Sequence, residues 1–433
     1  MTRHQGYRYR LKPTASDEAI LFRFAGCARF VWNELLALNE LRHVRGERRL
    51  RYSGMCEYLV YLKSEYPFLR EAHSQLLQQS LKDLAISYQR AFDPKLSAQR
   101  PRFKKRVRPQ AIRFPQGFKI DASGVYLPKI GWIGFRKSRE INGTPKNVTV
   151  SHDGRDWYVT FQTQRETAPP VHPSTSAVGI DLGVARFAAL SDGTFVDGVH
   201  AFRRSEKRLA FYQRRMARKR KFSANWRKAK AQVSRLHRRI ANVRRDMLHK
   251  ASTTISQNHA VVVLEDLRIT NMTASAKGSV ERPGTNVRAK SRLNRRILDQ
   301  GWGEFRRQLA YKLAWSGGLL LLVDPRNTSR TCSTCGHVAQ ANRQRRATFR
   351  CITCGHASNA DTNAAINILR RAGQARIACG DLSLDESTKQ EARGAAWSER
   401  CRILGLQAGE HVTSLVLGPR VRRGFARDTS ATA

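Results

Sequence analysis

The sequence predicts an α/β protein of two to three domains. Three observations carry that expectation. The chain has 433 residues, 41% of them hydrophobic, with 7 Trp, 11 Tyr and 18 Phe, enough apolar material for real cores. Its first part passes from helical periodicity to short strands bounded by Gly, Asp and Asn turns. Its later part alternates buried apolar strands with helices, the pattern of a mixed sheet in a layered structure.

The elements follow in order. Residues 7–11 (YRYRL) alternate like a strand. Thr14 and Ser16 then precede a long helix with Ile20, Leu21, Phe24, Ala25 and Ala28 on one face. Further helices are expected over about 55–64 and 72–93. Between Pro101 and Gln164 the reading changes to strands at Ala111–Phe114, Gly124–Leu127, Trp132–Phe135, Val148–Ser151 and Trp157–Phe161. This block reads as a small β-barrel with a helical bundle inserted near its start. The segment ETAPPVHPSTS (166–176) is a linker by composition. AVGIDL (from Ala177) is a buried strand, and FAALSDGTFVDG reads as two strands around a turn at Asp192–Gly193. One long basic helical region is expected over about 201–256, packing through Val233, Leu236, Ile240, Val243 and Met247. A strand (Ala260–Leu264), a helix (about 292–316), a strand (Leu319–Val323), a cysteine segment and a last helix (about 361–371) complete the ordered chain. Residues 373–433, rich in Gly, Ala and Ser, read as a poorly ordered tail.

The charge is extreme: 79 Lys+Arg against 34 Asp+Glu, a net of +45. It is also localised, because residues 203–250 hold 19 bases and two acids, whereas 372–433 hold nine bases and seven acids. A folded protein with such a field expects a densely anionic partner, nucleic acid first. The longest apolar runs fall far short of the roughly 18 residues of a membrane span. The N-terminus has no apolar core of a signal peptide. No membrane partner is expected, and the location is expected to be cytoplasmic, with nucleoid association.

Cys332-Ser-Thr-Cys335 and Cys351-Ile-Thr-Cys354 form a four-thiolate pattern suited to a structural Zn²⁺. Two intervening residues let a tight turn aim both sulfurs at one ion, and Gly336 and Gly355 relax each turn. His337 and His356 are spare ligands at best. Cys27, Cys56, Cys379 and Cys401 stand alone and read as buried or idle thiols. Three acids are unusually placed. Asp181 ends one apolar strand, Glu265 ends another, and Asp361 opens the last helix. A carboxylate there costs desolvation energy unless a cation or donors neutralise it. Three converging acids would suit Mg²⁺ or Mn²⁺ and phosphodiester hydrolysis with two metals about 4 Å apart. Singly, each has a plainer reading as a turn residue or helix cap. Asp266 beside Glu265 is an equal candidate for the inward position.

GIDLGVARFAALSDG, VVVLEDLRITNM and TSRTCSTCGHV…FRCITCGHASNADTNAAINI together resemble the three catalytic segments and zinc ribbon of the TnpB (OrfB-type) family of insertion-sequence proteins, which is similar to the type V CRISPR effector nucleases. The resemblance covers about residues 5–372. It implies an RNase H-like (RuvC) nuclease domain at 177–330 and 356–372, with a zinc ribbon inserted at 331–355. It implies a wedge β-barrel at 1–15 and 96–165 carrying a helical recognition bundle at 16–95. It also implies RNA-guided cleavage of double-stranded DNA, with a guide RNA from the element's own end and a short adjacent motif read by the protein. Asp181, Glu265 and Asp361 match the catalytic carboxylates, and Cys332, Cys335, Cys351 and Cys354 match the zinc ligands. Where the family often has another Asp, this chain has Asn359, which would weaken a secondary metal or hydrogen-bond contact.

Charge runs are usually solvated faces, but the density over 203–250 favours phosphate contact, with Arg218, Lys219, Arg220 and Lys221 at its centre. Arg102, Lys104 and Lys105 after Pro101 read as a nucleic-acid clamp over a surface turn. Trp302, Phe305, Leu309 and Leu313 lie at helical spacing and read as core rather than as a base-stacking row. Two rival functions remain: a nuclease-independent DNA-binding regulator of transposition, which would be expected to lose the acids, and a DNA-joining transposase using the same metal chemistry. Composition leaves the oligomeric state open.

Overall fold

The structure is a computed structural model that describes residues 2–96, 98–106, 110–345 and 347–379. It divides into two compact units between Ala168 and Pro169. The first begins with β1 (Thr2–Lys12), whose Tyr7, Tyr9 and Leu11 alternate inward. α1 (Ala15–Val44), α2 (Tyr52–Glu65) and α3 (Ser74–Phe92) follow. Thr14 starts α1 through a reciprocal cap: its Oγ1 accepts the Asp17 N–H at 3.2 Å, and Asp17 accepts the Thr14 N–H at 2.9 Å. Leu21, Phe24, Val31 and Leu35 line the buried face of α1.

The strands β2 (Gln110–Phe114), β3 (Lys119–Ile120), β4 (Gly124–Leu127), β5 (Gly131–Arg136), β6 (Thr144–His152) and β7 (Trp157–Glu166) then complete a seven-stranded sheet. Its order is β2-β6-β7-β1-β5-β4-β3, antiparallel throughout. One apolar cluster joins the inner face of this sheet to all three helices. The expected barrel is an open sheet among the described residues, with β2 and β3 as its edges.

The second unit holds a five-stranded mixed sheet. β8 (Ala177–Leu182), β9 (Ala188–Leu190) and β10 (Phe195–Val196) form antiparallel neighbours around the expected turn. α4 (Ala201–Ala217) and α5 (Ala224–Asn258) cross over to β11 (Val261–Glu265), which lies parallel to β8. α6 (Ile269–Met272), α7 (Val287–Gln300) and α8 (Trp302–Ser316) cross to β12 (Leu319–Val323), parallel to β11. β13 (Thr348–Arg350) and β14 (Ala357–Asn359) form a small ribbon before α9 (Ala360–Cys379). The sheet order is β10-β9-β8-β11-β12.

Alternation gives this sheet two faces. Val178, Ile180, Val262 and Leu264 pack on Leu248, Ile255, Phe305, Leu309 and Leu313 of α5 and α8. Val261 and Val263 pack on Ile368 and Ala372 of α9. Trp302, Phe305, Leu309 and Leu313 are all core.

Other expectations also need correction. The basic region of 201–256 is two helices, broken over 218–223, because Ser223 caps a fresh helix there. Its apolar stripe fails at Val243, which is 43% exposed. That residue lies between Leu236 and Ile240, which face α4, and Leu248, which faces the sheet. The helix of 292–316 is also two, split at Gly301 in the left-handed conformation (φ +76). The last helix runs to Cys379, so the first residues of the presumed tail are helical. The rest of the tail, with Cys401, lies outside the described residues. Within the 166–176 segment, His172 is buried, with Nε2 2.9 Å from the Ser256 carbonyl oxygen.

Candidate active site and metal centre

The acids are brought together by strand register and one close helix contact. In the parallel pair β8–β11, Ile180 faces Leu264. One step on, Asp181 and Glu265 therefore lie side by side on the face that α9 covers. α9 reaches that face because residue 179 is glycine. A Cβ there would stand 2.2 Å from the Ala365 carbonyl oxygen and 2.7 Å from the Leu369 nitrogen. From this contact, Asp181 is two residues further along the strand and Asp361 four residues back along the helix. These are steps of about 6.6 Å and about 6 Å, so both acids arrive at one level.

Asn359 sets the start of that helix. Its Oδ1 accepts the N–H groups of Asp361 (3.0 Å) and Thr362 (3.3 Å). It is thus the N-cap, which frees Asp361 from that role.

The electrostatics record the convergence. Burial, then the charges of Glu265 and Asp361, push the Asp181 carboxyl up to about 7, against Arg343 and the Leu182 N–H. Burial also raises Glu265, while the Thr328 hydroxyl, donating to Oε1 at 2.6 Å, and Arg371 oppose the shift. Arg343 lies 3.4 Å from Asp361. Asp266 is exposed and pairs with Arg306 at 2.7 Å, so Glu265 is the inward acid of that adjacent pair. Crowded, desolvated hard-oxygen donors fit a divalent cation such as Mg²⁺ or Mn²⁺.

Cys332, Cys335, Cys351 and Cys354 place all four sulfurs within 4.8 Å of one another. The Cys332–Cys354 and Cys335–Cys351 separations are both 3.6 Å. Tetrahedral zinc with bonds of about 2.3 Å requires sulfurs about 3.8 Å apart, so the donors fit. None is in a disulfide. The knuckles are twins: Gly336 (φ +78) and Gly355 (φ +71) follow them, and the N–H groups of Cys332 and Cys351 donate to the carbonyls of His337 and His356 at 2.9 Å.

Hydrogen bonds tie this cluster to the acids. Asn363, fully buried on α9, accepts the Ser333 N–H (2.9 Å) and donates to the Thr331 carbonyl (2.8 Å). Asn367 donates to the carbonyls of Thr328 (2.9 Å) and Thr331 (2.6 Å). Thr328 is the partner of Glu265. Sequence reasoning missed Gly179, Thr328, Asn363, Asn367 and Arg343. The polar side chains on the inner face of an otherwise apolar helix (NAAIN) were the available signal.

The nominated basic residues fall into two sets. Trp32 Nε1 donates to the Arg102 carbonyl (3.1 Å), and Asn33 clasps the backbone of Lys104 from both sides (2.8 and 3.2 Å). The Lys104 residue is exposed, but its ammonium sits 3.5 Å over the Trp32 ring, and that desolvation pushes it down to about 8. Lys105 is exposed, and Arg218, Lys219, Arg220 and Lys221 are exposed together between α4 and α5.

Three family models match the chain: a probable transposase family over residues 158–276, a Cas12f1-like TNB domain over 302–368 and a helix-turn-helix domain over 1–48. InsQ of Escherichia coli (strain K12), whose name proposes an RNA-guided DNA endonuclease, is 50% identical over 386 residues, 88% of this chain and 95% of InsQ. The chain belongs to the TnpB (OrfB-type) transposase family. A second TnpB-type relative, from Streptomyces pristinaespiralis and with a similar name, is 34% identical over 87% of this chain and 91% of its own. A solved Cas12f1–guide RNA–target DNA complex aligns with this TnpB-family chain at 17% identity and a TM-score of 0.33, covering 86% of it and 100% of the Cas12f1 chain.

Proposed function

We propose that this protein is the RNA-guided, metal-dependent DNA endonuclease of an insertion sequence. The observation that carries the reading is the convergence of Asp181, Glu265 and Asp361 within a chain of net charge +45. The relationship to InsQ supports it. The order β10-β9-β8-β11-β12, with acids at the ends of two adjacent parallel strands and on the covering helix, supports an RNase H-like (RuvC) domain over 177–330 and 356–372. The four cysteines support a zinc ribbon over 331–355. Residues 1–15 and 96–165 serve as the wedge, and 16–95 as the recognition bundle.

In this reading the three carboxylates hold Mg²⁺ or Mn²⁺. A cation bound there supplies the charge stabilisation that cleavage of a phosphodiester demands. Asp181 must be deprotonated to take part. Arg343 balances Asp361 before metal and substrate arrive. Guide RNA from the element's end and double-stranded target DNA are held mainly through phosphates, by the 203–250 region and by Arg102 and Lys105. No described helix is long and apolar enough to cross a membrane; the protein acts at the nucleoid.

The test is plasmid cleavage by the full chain co-expressed with RNA from the element's end. Asp181→Ala should abolish cleavage while leaving RNA binding within about threefold of wild type. Undiminished cleavage by that variant sinks the site. Joined element ends formed without guide RNA would instead favour the transposase reading.

A further inference from the structure

The hairpin of α4 and α5 turns through residues 218–223, where Arg218, Lys219, Arg220 and Lys221 are all exposed. From Lys207 through Lys230 the chain has no acidic residue. Amid these cations stands an aromatic pair. Phe222 is 62% exposed, and its ring meets Trp226 edge-on, with centroids 5.5 Å apart and planes at 61°. Lys221 lies 5.2 Å from the Phe222 ring centre and Lys230 lies 5.1 Å from that of Trp226.

The tip is held by its own backbone. The Ser223 N–H donates to the Arg220 carbonyl at 3.1 Å, and the Ser223 Oγ accepts the Trp226 N–H at 3.2 Å. Between them Phe222 adopts φ +70, a left-handed conformation that bulky residues rarely take.

A hydrophobic staple across the start of α5 is the plainer reading of Phe222. A staple needs only an apolar side chain against the first turn. It needs neither a ring largely in water, nor a left-handed backbone, nor cations on both sides.

We propose that the α4–α5 tip binds an unpaired nucleobase of a single-stranded polynucleotide. The Phe222 ring stacks on the base, Trp226 backs it, and Arg220, Lys221 and Arg227 take the flanking phosphates. A polynucleotide is the ligand that offers a flat π-face with negative charge on either side, and stacking of this kind tolerates any base. The site concerns holding rather than cutting and uses none of the three acids.

The experiment uses the full chain, freed of co-purifying nucleic acid at high salt. The probes are an oligouridine and an oligothymidine of about twelve nucleotides, each carrying one 4-thio base. Irradiation should crosslink the probe to the peptide containing Phe222 and Trp226. Phe222→Leu keeps the staple and loses the π-face, so affinity should fall about 5- to 50-fold with an unchanged salt slope. Phe222→Tyr should restore it. Arg220→Gln should instead lower the slope. The arm that loses affinity on Phe222→Leu identifies RNA or DNA as the source. Asp181→Ala should crosslink like wild type, so a failed nuclease assignment would leave this result readable. Wild-type affinity of Phe222→Leu for both probes, or crosslinks that map only elsewhere, overturns the proposal; mapping in the unsubstituted chain decides it should Phe222→Leu misfold.

Discussion

Asp181 carries a large electrostatic cost. Burial and two neighbouring acids hold its carboxyl near 7 instead of its ordinary value. A carboxyl raised in the folded state favours folding while it is protonated. Its contribution is complete below the unfolded value near 4 and is lost as pH rises through about 7. In magnesium-free buffer, urea titrations should therefore show stability falling over that window. Asp181→Asn should flatten the fall and stabilise the protein by about 1–3 kcal/mol at pH 8. An unchanged slope in the variant contradicts this account. Added magnesium should oppose the fall in wild type, because the cation competes with the proton. Gly179 makes a second test at this scale. Gly179→Ala drives a methyl into the Ala365 carbonyl and should destabilise the second unit by about 1–3 kcal/mol or more. It should also return the Asp181 carboxyl toward its ordinary value by moving Asp361 away, which NMR titration would detect. The acids themselves were legible in the sequence, because apolar strands that end in carboxylates are unusual. Gly179 was not, because only the docked helix shows why it has no side chain. Asn359 looked like a missing acid, yet it caps the helix that carries Asp361.

At the scale of elements, α9 joins the two candidate metal sites. Its first turn carries Asp361, and Asn363 and Asn367 on its buried side grip the first cysteine knuckle and the Thr328 segment. Losing zinc should therefore loosen more than the ribbon. Metal analysis should find one zinc per chain. Cys351→Ser should remove it and open both the ribbon and the start of α9 to limited proteolysis. Protection of α9 unchanged by zinc loss would disconnect the two sites. Asn367→Ala tests the link with zinc in place: it strands the buried Thr328 carbonyl, while Thr331 keeps its bond from Asn363; it should cost about 1–3 kcal/mol, and should lower cleavage at full zinc content. The strands, the knuckles and the hairpin at Asp192–Gly193 were readable because period-two alternation and turn residues are local signals. The breaks at 218–223 and Gly301 were not, because helical periodicity persists across a short interruption and only a cap or a positive φ marks it.

For the whole molecule, +45 makes ionic strength the governing variable. Nucleic-acid affinity should fall by about 10³- to 10⁵-fold between 50 and 200 mM salt if six to ten phosphates are neutralised, as equilibrium titrations at several salt concentrations would measure. A flat salt profile would deny the charge its assigned role. The division into a strand-rich first block and an α/β second block was legible from composition shifts, while sheet order was not, because pairing across long separations leaves little local trace. The order has a consequence for synthesis. β1 leaves the ribosome before either strand that it pairs with, yet it lies inside the seven-stranded sheet, pairing with β5 on one side and along nine residues with β7 on the other. At translation rates of about 5–20 residues per second, its last partner emerges roughly 8–30 s after it does. Until β5 emerges β1 has no strand partner, and Tyr7, Tyr9 and Leu11 depend on the nascent helices α1 to α3 for shelter, so the bundle would act as an internal chaperone for the strand that precedes it. Slowing elongation between codons 93 and 157 should therefore be better tolerated than slowing it between codons 12 and 44.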